Sequence, residues 1–409
     1  MRLLFLGLNF PPDLVGIAKY SGELMEWLSH RHSVSVITAL PHYPAWRIDP
    51  EESRRRWRLD ERFTYPVRRV PLYVPAKPSG KKRLIHSASF AAAAVPIAIH
   101  QVLTFRPDII ATVAPTLAGA PVVSTLARLA GARSWLHVQD FEVDVAFDFS
   151  MIRRPQMKTA ATMIERMILK GFDLVSSISP PMVSKLIAKG VDADRTAMFP
   201  NWVDTAAIRS GLPSRLRREW GIADDAILVL YSGTMGSKQG LPDVVEAARL
   251  LQNDPRIAFV FSGEGPIRSK LEAQAAGLSH VSFFDFQPTD RLPDLLAAAD
   301  IHVLPQRAAA EDLVMPSKLG PILASGKPVI ATAEPHSHIA EMIKNAGYLV
   351  PPENPLALAD AVRRLAAAPD ERQELGSQGR LTAERELAQD AIFKRIERCL
   401  LQLKEGISA

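Results

Sequence analysis

The chain has one cysteine in 409 residues, Cys399. A lone cysteine excludes an intramolecular disulfide and leaves no thiolate cluster for zinc or iron–sulfur chemistry, and it fits a reducing, cytosolic compartment. Also lacking is a basic leader followed by a long apolar core and a small-residue cleavage site. Arg2 runs directly into Leu3-Leu4-Phe5-Leu6-Gly7-Leu8, which reads as a first β-strand. No Gly-x-Gly-x-x-Gly follows that strand, which argues against a nicotinamide dehydrogenase. No Asp-x-Asp sequence stands beside a predicted strand end to suggest a metal-held diphosphate, so neither a metal site nor a cofactor is expected. Short-period repeats and low-complexity tracts are missing too. With 47% apolar and 23% charged residues, the composition is that of a globular protein and argues against long-range disorder.

What is present is an alternation. Strand-like runs at Leu3–Leu8, Val34–Ala39, Val67–Leu72, Asp108–Val113, Arg133–Val138 and Asp173–Ile178 are separated mostly by helical patterns, as where Ile17, Tyr20, Leu24, Trp27 and Leu28 share one face. The pattern restarts with Ala226–Tyr231, Ile257–Phe261, His280–Phe284, Asp300–Leu304 and Pro328–Thr332. This alternation predicts parallel, doubly wound sheets, and the length suits two α/β domains of roughly 200 residues each. We place the first at 1–200 and the second at 201–385, joined from Phe199-Pro200-Asn201-Trp202 to about Pro213. A long polar-apolar helix is expected from Pro369 to about Lys404, its last part, 386–409, packing back near the hinge.

The segment Tyr231-Ser-Gly-Thr-Met-Gly-Ser-Lys-Gln-Gly-Leu241 converts an apolar strand into a helix through three glycines and one lysine. Gly233, Gly236 and Gly240 permit positive φ and close backbone approach. Amide N–H groups around Thr234 and a helix N-terminus can then face an anion, with Lys238 as a point charge. A diphosphate is cradled in this way; an ordinary glycine-rich turn is the other reading of the same residues. Further candidates fall where strands end: Gly16 after the first strand, His137 and Asp140 in His-Val-Gln-Asp, and Gly263 and Gly265 in Ser-Gly-Glu-Gly-Pro. Ser317 and Lys318 stand at a helix start and suit phosphate or sugar, although Lys318 also reads as a solvated helix residue. In two-domain α/β proteins ligands lie at the carboxyl ends of the strands.

Through the Gly16 loop, Tyr231 to Leu241, Ser262 to Pro266 and Ala324 to Val329, the chain resembles the retaining glycosyltransferases of family four. More narrowly, Asn9-Phe-Pro-Pro, Gly16-Ile-Ala-Lys-Tyr-Ser-Gly-Glu, Pro41-His-Tyr-Pro-Ala-Trp, Pro71-Leu-Tyr-Val-Pro, Leu136-His-Val-Gln-Asp-Phe-Glu-Val-Asp and Phe199-Pro-Asn-Trp are similar, in that order, to the colanic-acid biosynthesis glycosyltransferases. The resemblance covers essentially the whole chain. It implies an α/β fold of the GT-B type, with two Rossmann-like domains facing across a cleft. It also implies transfer, with retention, of a sugar from a nucleoside diphosphate donor to a lipid-linked exopolysaccharide intermediate, and it leans towards GDP-fucose as donor. Such a catalyst must stabilise a leaving diphosphate, a task for backbone amides near Gly233 and for Lys238 and Lys318. His137 and Asp140 could orient the sugar or the acceptor hydroxyl, while a hydrogen-bonded structural histidine explains His137 equally. One departure stands out: where the wider family carries two glutamates eight residues apart, this chain has Leu313 and Pro321, with Glu311 and Asp312 nearby.

Basic charge gathers in the first domain at Arg54-Arg55-Arg56-Trp57-Arg58, Arg68-Arg69, Lys77 and Lys81-Lys82-Arg83, ahead of the alanine-rich stretch Ser87 to Leu103. That stretch is interrupted by Pro96 and His100 and reads as too short for a transmembrane span. A peripheral contact with anionic lipid on the inner face of the cytoplasmic membrane is the preferred expectation, a solvated basic face the alternative. The aromatics are not spaced as a stacking platform, which argues against nucleic acid. Two rivals share the expected fold: a nucleotide-sugar epimerase, and a catalytically silent sugar-nucleotide-binding partner in polysaccharide assembly.

Overall fold

The computed structural model describes residues 1–13, 16–54, 57–77, 79–114, 117–141, 155–211, 214–237, 239–307 and 316–407. The chain divides into two units, Met1–Pro200 with Ile392–Ala409, and Asn201–Ala391. In the first, strands β1 (Arg2–Gly7), β2 (Ser33–Ala39), β3 (Arg58–Leu59), β4 (Val67–Val70), β5 (Ile109–Ala114), β6 (Arg133–Val138), β7 (Leu174–Ser177) and β8 (Thr196–Met198) build one sheet. Its order is 3-4-2-1-5-6-7-8, parallel except where β3 meets β4. The second unit holds β9 (Ile227–Ser232), β10 (Ile257–Ser262), β11 (Val281–Phe284), β12 (Ile301–Leu304), β13 (Val329–Thr332) and β14 (Gly347–Val350). These run in the order 11-10-9-12-13-14, all parallel. Both units are Rossmann-like.

Leu3 to Leu6 of β1 are all buried, and they pair with Val34 to Ile37 on one side and Ile109 to Thr112 on the other. A strand buried on both faces shows no alternation of polar and apolar residues, which is why it reads as a continuous apolar run. Strand order reverses between β1 and β5 in the first sheet and between β9 and β12 in the second. Loops that leave neighbouring strands in opposite directions open a crevice there, at the carboxyl ends. Arg69, fully buried in β4, fixes the exits on that side: it bonds Asp60 at 2.8 Å, the Ala39 carbonyl at 3.0 Å and the Pro11 carbonyl. Burial alone would raise the Asp60 carboxyl, but bonds from Arg62 and Arg69 outweigh it and hold the group well below the usual carboxylate range.

Two helical expectations change. The long helix after Pro369 is broken into Pro369–Thr382, a π-helical turn Ala383–Leu387 and Gln389–Glu405. At the break Ala388 is extended and bridges to Val203, which donates to the Leu387 carbonyl at 2.9 Å and accepts from the Gln389 amide at 3.1 Å. Pairing with the segment that enters the second unit thus overrides helical propensity. Beyond the break the helix docks on the first unit, with Phe393 5.4 Å from the Trp27 ring and Glu397 2.7 Å from His32.

The second change concerns the alanine-rich stretch. It belongs to a continuous 26-residue helix, Gly80–Phe105, that carries Pro96 within it. Lys82–Phe105 is long and apolar enough to cross a membrane by length and composition. Its inward face, with His86, Phe90, Ala94, Ala98 and Gln101, is nevertheless buried, and the helix packs on β2 and β4. The polar members of that face are satisfied, Gln101 by Ser35 at 3.0 Å and His86 by the Tyr73 carbonyl at 2.6 Å.

Candidate functional site

In the second unit the exits of β9 and β10 lie against each other. The Gly233 amide donates to the Ser262 carbonyl at 2.8 Å, and the Met235 amide donates to the Glu264 carbonyl at 2.7 Å. The loops can approach this closely only because they lack side chains: a Cβ on Gly263 (φ +153°) would stand 2.0 Å from the Gly233 oxygen. Met235, fully buried, anchors the first loop in the core. Below them stands Tyr231, next to last in β9, whose hydroxyl donates to the Thr234 carbonyl at 2.5 Å and accepts from Lys318 Nζ at 2.7 Å.

Lys318 reaches this point across the space that Gly233 leaves, since a Cβ there would be 2.4 Å from its Cε. The Lys318 ammonium also lies 4.3 Å from the centre of the Tyr231 ring. Burial pulls its pKa down to about 8, and the same burial pushes the Tyr231 hydroxyl above its ordinary value. Among the described residues no carboxylate comes within ion-pair distance of Lys318. Holding a largely desolvated cation is unfavourable unless an anion stands near it.

The structure therefore gathers Gly233, Thr234, Gly263, Gly265 and Lys318 into one place. The amides of Gly233 and Met235 are engaged by the second loop, and that of Gly236 by the Gln239 side chain at 3.0 Å. Ser317 is exposed at the start of the short helix Leu319–Ala324. Lys238, Arg55, Arg56, Glu311, Asp312 and Leu313 lie outside the described residues. Tyr231 was not legible as a site residue, because at the end of the apolar run Ala226–Tyr231 it looks like core, and it is buried; only its hydroxyl marks it.

In the first unit Gly16 opens the helix Gly16–Ser29 after β1, and its Cβ position meets only the Tyr20 ring at 3.8 Å. His137, near the end of β6, has both ring nitrogens engaged: Nδ1 lies 2.9 Å from Ser176 Oγ, and Gln139 Nε2 is 3.1 Å from Nε2. With the Gln139 amide donating, Nδ1 carries the proton. Ser176 also accepts from Trp135 Nε1 at 2.8 Å. Burial lowers the His137 pKa to about 4, so the imidazole is neutral at pH 7. Asp140 follows the strand, partly buried.

Two Rossmann-like units, each built on a largely parallel sheet and the second with a lysine beside glycine-rich strand exits, are the architecture of the GT-B class of glycosyltransferases. Matches to known families agree. Residues 15–202 match the model described as "Glycosyl transferase 4-like domain" and residues 214–382 that described as "Glycosyl transferases group 1". The chain is 39% identical over 382 residues to WcaI of Escherichia coli (strain K12), named as a glycosyl transferase of colanic acid biosynthesis, with 90% of this chain and 93% of that one covered. It is 28% identical over 240 residues to the D-inositol 3-phosphate glycosyltransferase of Geodermatophilus obscurus, covering 55% and 51% of the two chains. Among solved structures it is similar in fold to the sucrose-phosphate synthase of Thermosynechococcus elongatus, with a TM-score of 0.76 at 18% identity over 99% and 100% of the two chains. Anabaena Alr3699/HepE, solved with UDP and glucose, gives 0.71 at 18% identity over 98% and 100%. The chain belongs to the group 1 glycosyltransferases of the GT-B fold.

Proposed function

We propose that this glycosyltransferase moves a hexosyl group, with retention, from a nucleoside diphosphate sugar to a lipid-linked exopolysaccharide intermediate on the cytoplasmic face of the membrane. The observation that carries the donor side is Lys318, an ammonium held by Tyr231 beside two glycine-rich strand exits with no carboxylate partner among the described residues. When the anomeric C–O bond breaks, its electron pair goes to the diphosphate and positive charge develops on the sugar ring. A fixed cation at the diphosphate lowers that barrier without metal assistance. The acceptor hydroxyl bonds to the anomeric carbon on the face the leaving group occupied and gives its proton to the departing phosphate oxygen. Similarity to WcaI over nine-tenths of the chain supports an exopolysaccharide acceptor.

The test combines the protein with a lipid-linked saccharide and a panel of labelled donors, GDP-fucose and UDP-hexoses among them, with and without EDTA. Turnover that needs acceptor, survives chelation and leaves the anomeric configuration unchanged by NMR is expected. An inverted product overturns retention. Activity lost to EDTA and restored by magnesium overturns the lysine as sole counter-charge.

In the first unit the two candidates are expected to separate. His137→Ala leaves Ser176 and Gln139 short of a partner and is expected to destabilise by about 1–3 kcal/mol, with activity per folded molecule nearly kept. Asp140→Asn is expected to lower turnover by about 10²-fold at an unchanged melting temperature. Melting curves and rates on both variants decide it, and normal turnover in Asp140→Asn removes that residue from the site.

A further inference from the structure

The helix Gly80–Phe105 contains no acidic residue, and an apolar stripe runs along its outward face, flanked by exposed His100 and Thr104. Leu84, Ile85, Ala92, Pro96, Ile99 and Leu103 are all exposed, at i, i+3, i+4 and longer helical spacings that line them along one side. This is the reverse of a soluble surface helix, whose outer stripe is charged. At about 1.5 Å per residue the stripe, from Leu84 to Leu103, is roughly 30 Å long. Because the helix follows β4 and precedes β5, which are both parallel to β1, it runs from the carboxyl pole of the first sheet to the amino pole.

At the amino pole the stripe ends in a basin of about 880 Å³. Arg2, Arg106, Arg128, Arg133 and Lys404 line it against two carboxylates, Asp108 and Asp173. Asp108 pairs with Arg2 at 3.9 Å and Lys404 at 3.5 Å, and Asp173 pairs with Arg133 at 3.4 Å. Arg106 and Arg128 are left with no carboxylate partner among the described residues. Both are exposed, each beside one of the two most exposed leucines among the described residues, Leu103 at 68% and Leu129 at 79%. Leu129 belongs to the neighbouring helix Ala120–Ala130, which packs on Gly80–Phe105. Unpaired arginines rimmed by exposed leucines match an anionic phospholipid, phosphate towards the cations and acyl chains towards the leucines.

We propose that Arg106 and Arg128 form a headgroup site for an anionic phospholipid, and that the outer stripe of Gly80–Phe105 with Leu129 lies in the bilayer interface. This rests on the membrane location proposed above and adds to it a second anchor, at the pole opposite Lys82 and Arg83. With both ends of the helix held, the strands of the first sheet lie along the membrane plane, and their carboxyl ends open sideways over the surface where a lipid-linked acceptor moves.

Sedimentation with vesicles of phosphatidylcholine, alone or mixed with phosphatidylglycerol, tests it at low salt. Arg106→Gln with Arg128→Gln is expected to weaken binding to mixed vesicles by on the order of 10-fold or more, at unchanged nucleoside diphosphate affinity and melting temperature. Leu103→Gln with Leu129→Gln should weaken it as well. Arg106→Lys with Arg128→Lys keeps the charges and should bind nearly as wild type does, which separates lost charge from lost fold. If the glutamine pair at 106 and 128 binds as wild type while Lys82→Gln with Arg83→Gln releases the protein, the headgroup site is overturned and the membrane location stands. Wild-type protein that binds neither vesicle overturns both.

Discussion

Lys318→Met is expected to lower kcat/KM by about 10²–10³-fold, the effect of removing one preorganised charge from a developing anion. Methionine keeps the unbranched stem that passes Gly233, and it removes the ammonium. The variant should fold, and should be more stable than the wild type by about 1–3 kcal/mol at pH 7. The sign follows from the pKa: burial lowers the Lys318 value from 10.5 to about 8, so between those limits the unfolded chain holds a proton that the folded chain does not. Stability therefore rises with pH across that window in the wild type, and the burden of the buried charge is full below pH 8. Lost activity in a stabilised protein is a combination that a structural lysine does not give. Diphosphate affinity in the wild type should also fall as pH rises through about 8, a step that Lys318→Met lacks. Calorimetric titration across pH and denaturant melts measure both, and a variant with normal turnover removes Lys318 from the site.

Most of the fold could be read from the sequence because the central strands are buried on both faces and so appear as unbroken apolar runs. The strands that escaped are short or polar: Arg58–Leu59, Thr196–Met198 and Gly347–Val350 lie at sheet edges, where neighbours are few and no apolar run is needed. The break at Ala388 was equally hidden, because it depends on Val203, a partner far away in sequence. In the site, glycine spacing was visible, but its purpose was not. Gly263 and Gly265 are glycines because the neighbouring loop's carbonyls occupy the positions their Cβ atoms would take. The pairing of Tyr231 with Lys318, 87 residues apart, leaves no local signature. The same holds for His137, whose partner Ser176 sits across from it in the parallel register of β6 and β7.

Gly263→Ala is expected to cost about 3 kcal/mol or more and to abolish nucleotide binding, although it adds one methyl group. The new Cβ would lie 2.0 Å from the Gly233 oxygen and 2.8 Å from its carbonyl carbon, both backbone atoms. Neither wall is free to retreat. Gly233 is tied to Ser262 and Met235 to Glu264, while the Gly263 amide itself donates to the Phe284 carbonyl at 2.8 Å. The loop bearing Gly233 must therefore break those bonds, and with it moves the gap through which Lys318 reaches Tyr231. A unit of about 200 residues loses roughly 2–4 °C of melting temperature per kcal/mol, so a drop on the order of 6–12 °C is expected. Gly277→Ala provides the control: φ is +85° there too, but nothing lies within 4 Å of the added atom, so only the left-handed backbone penalty of about 1–2 kcal/mol applies and nucleotide binding should be kept. Scanning calorimetry and nucleotide titration on the pair distinguish steric wedging from backbone strain. If Gly263→Ala melts with Gly277→Ala and still binds nucleoside diphosphate, the two strand exits do not form the rigid seat on which Lys318 depends.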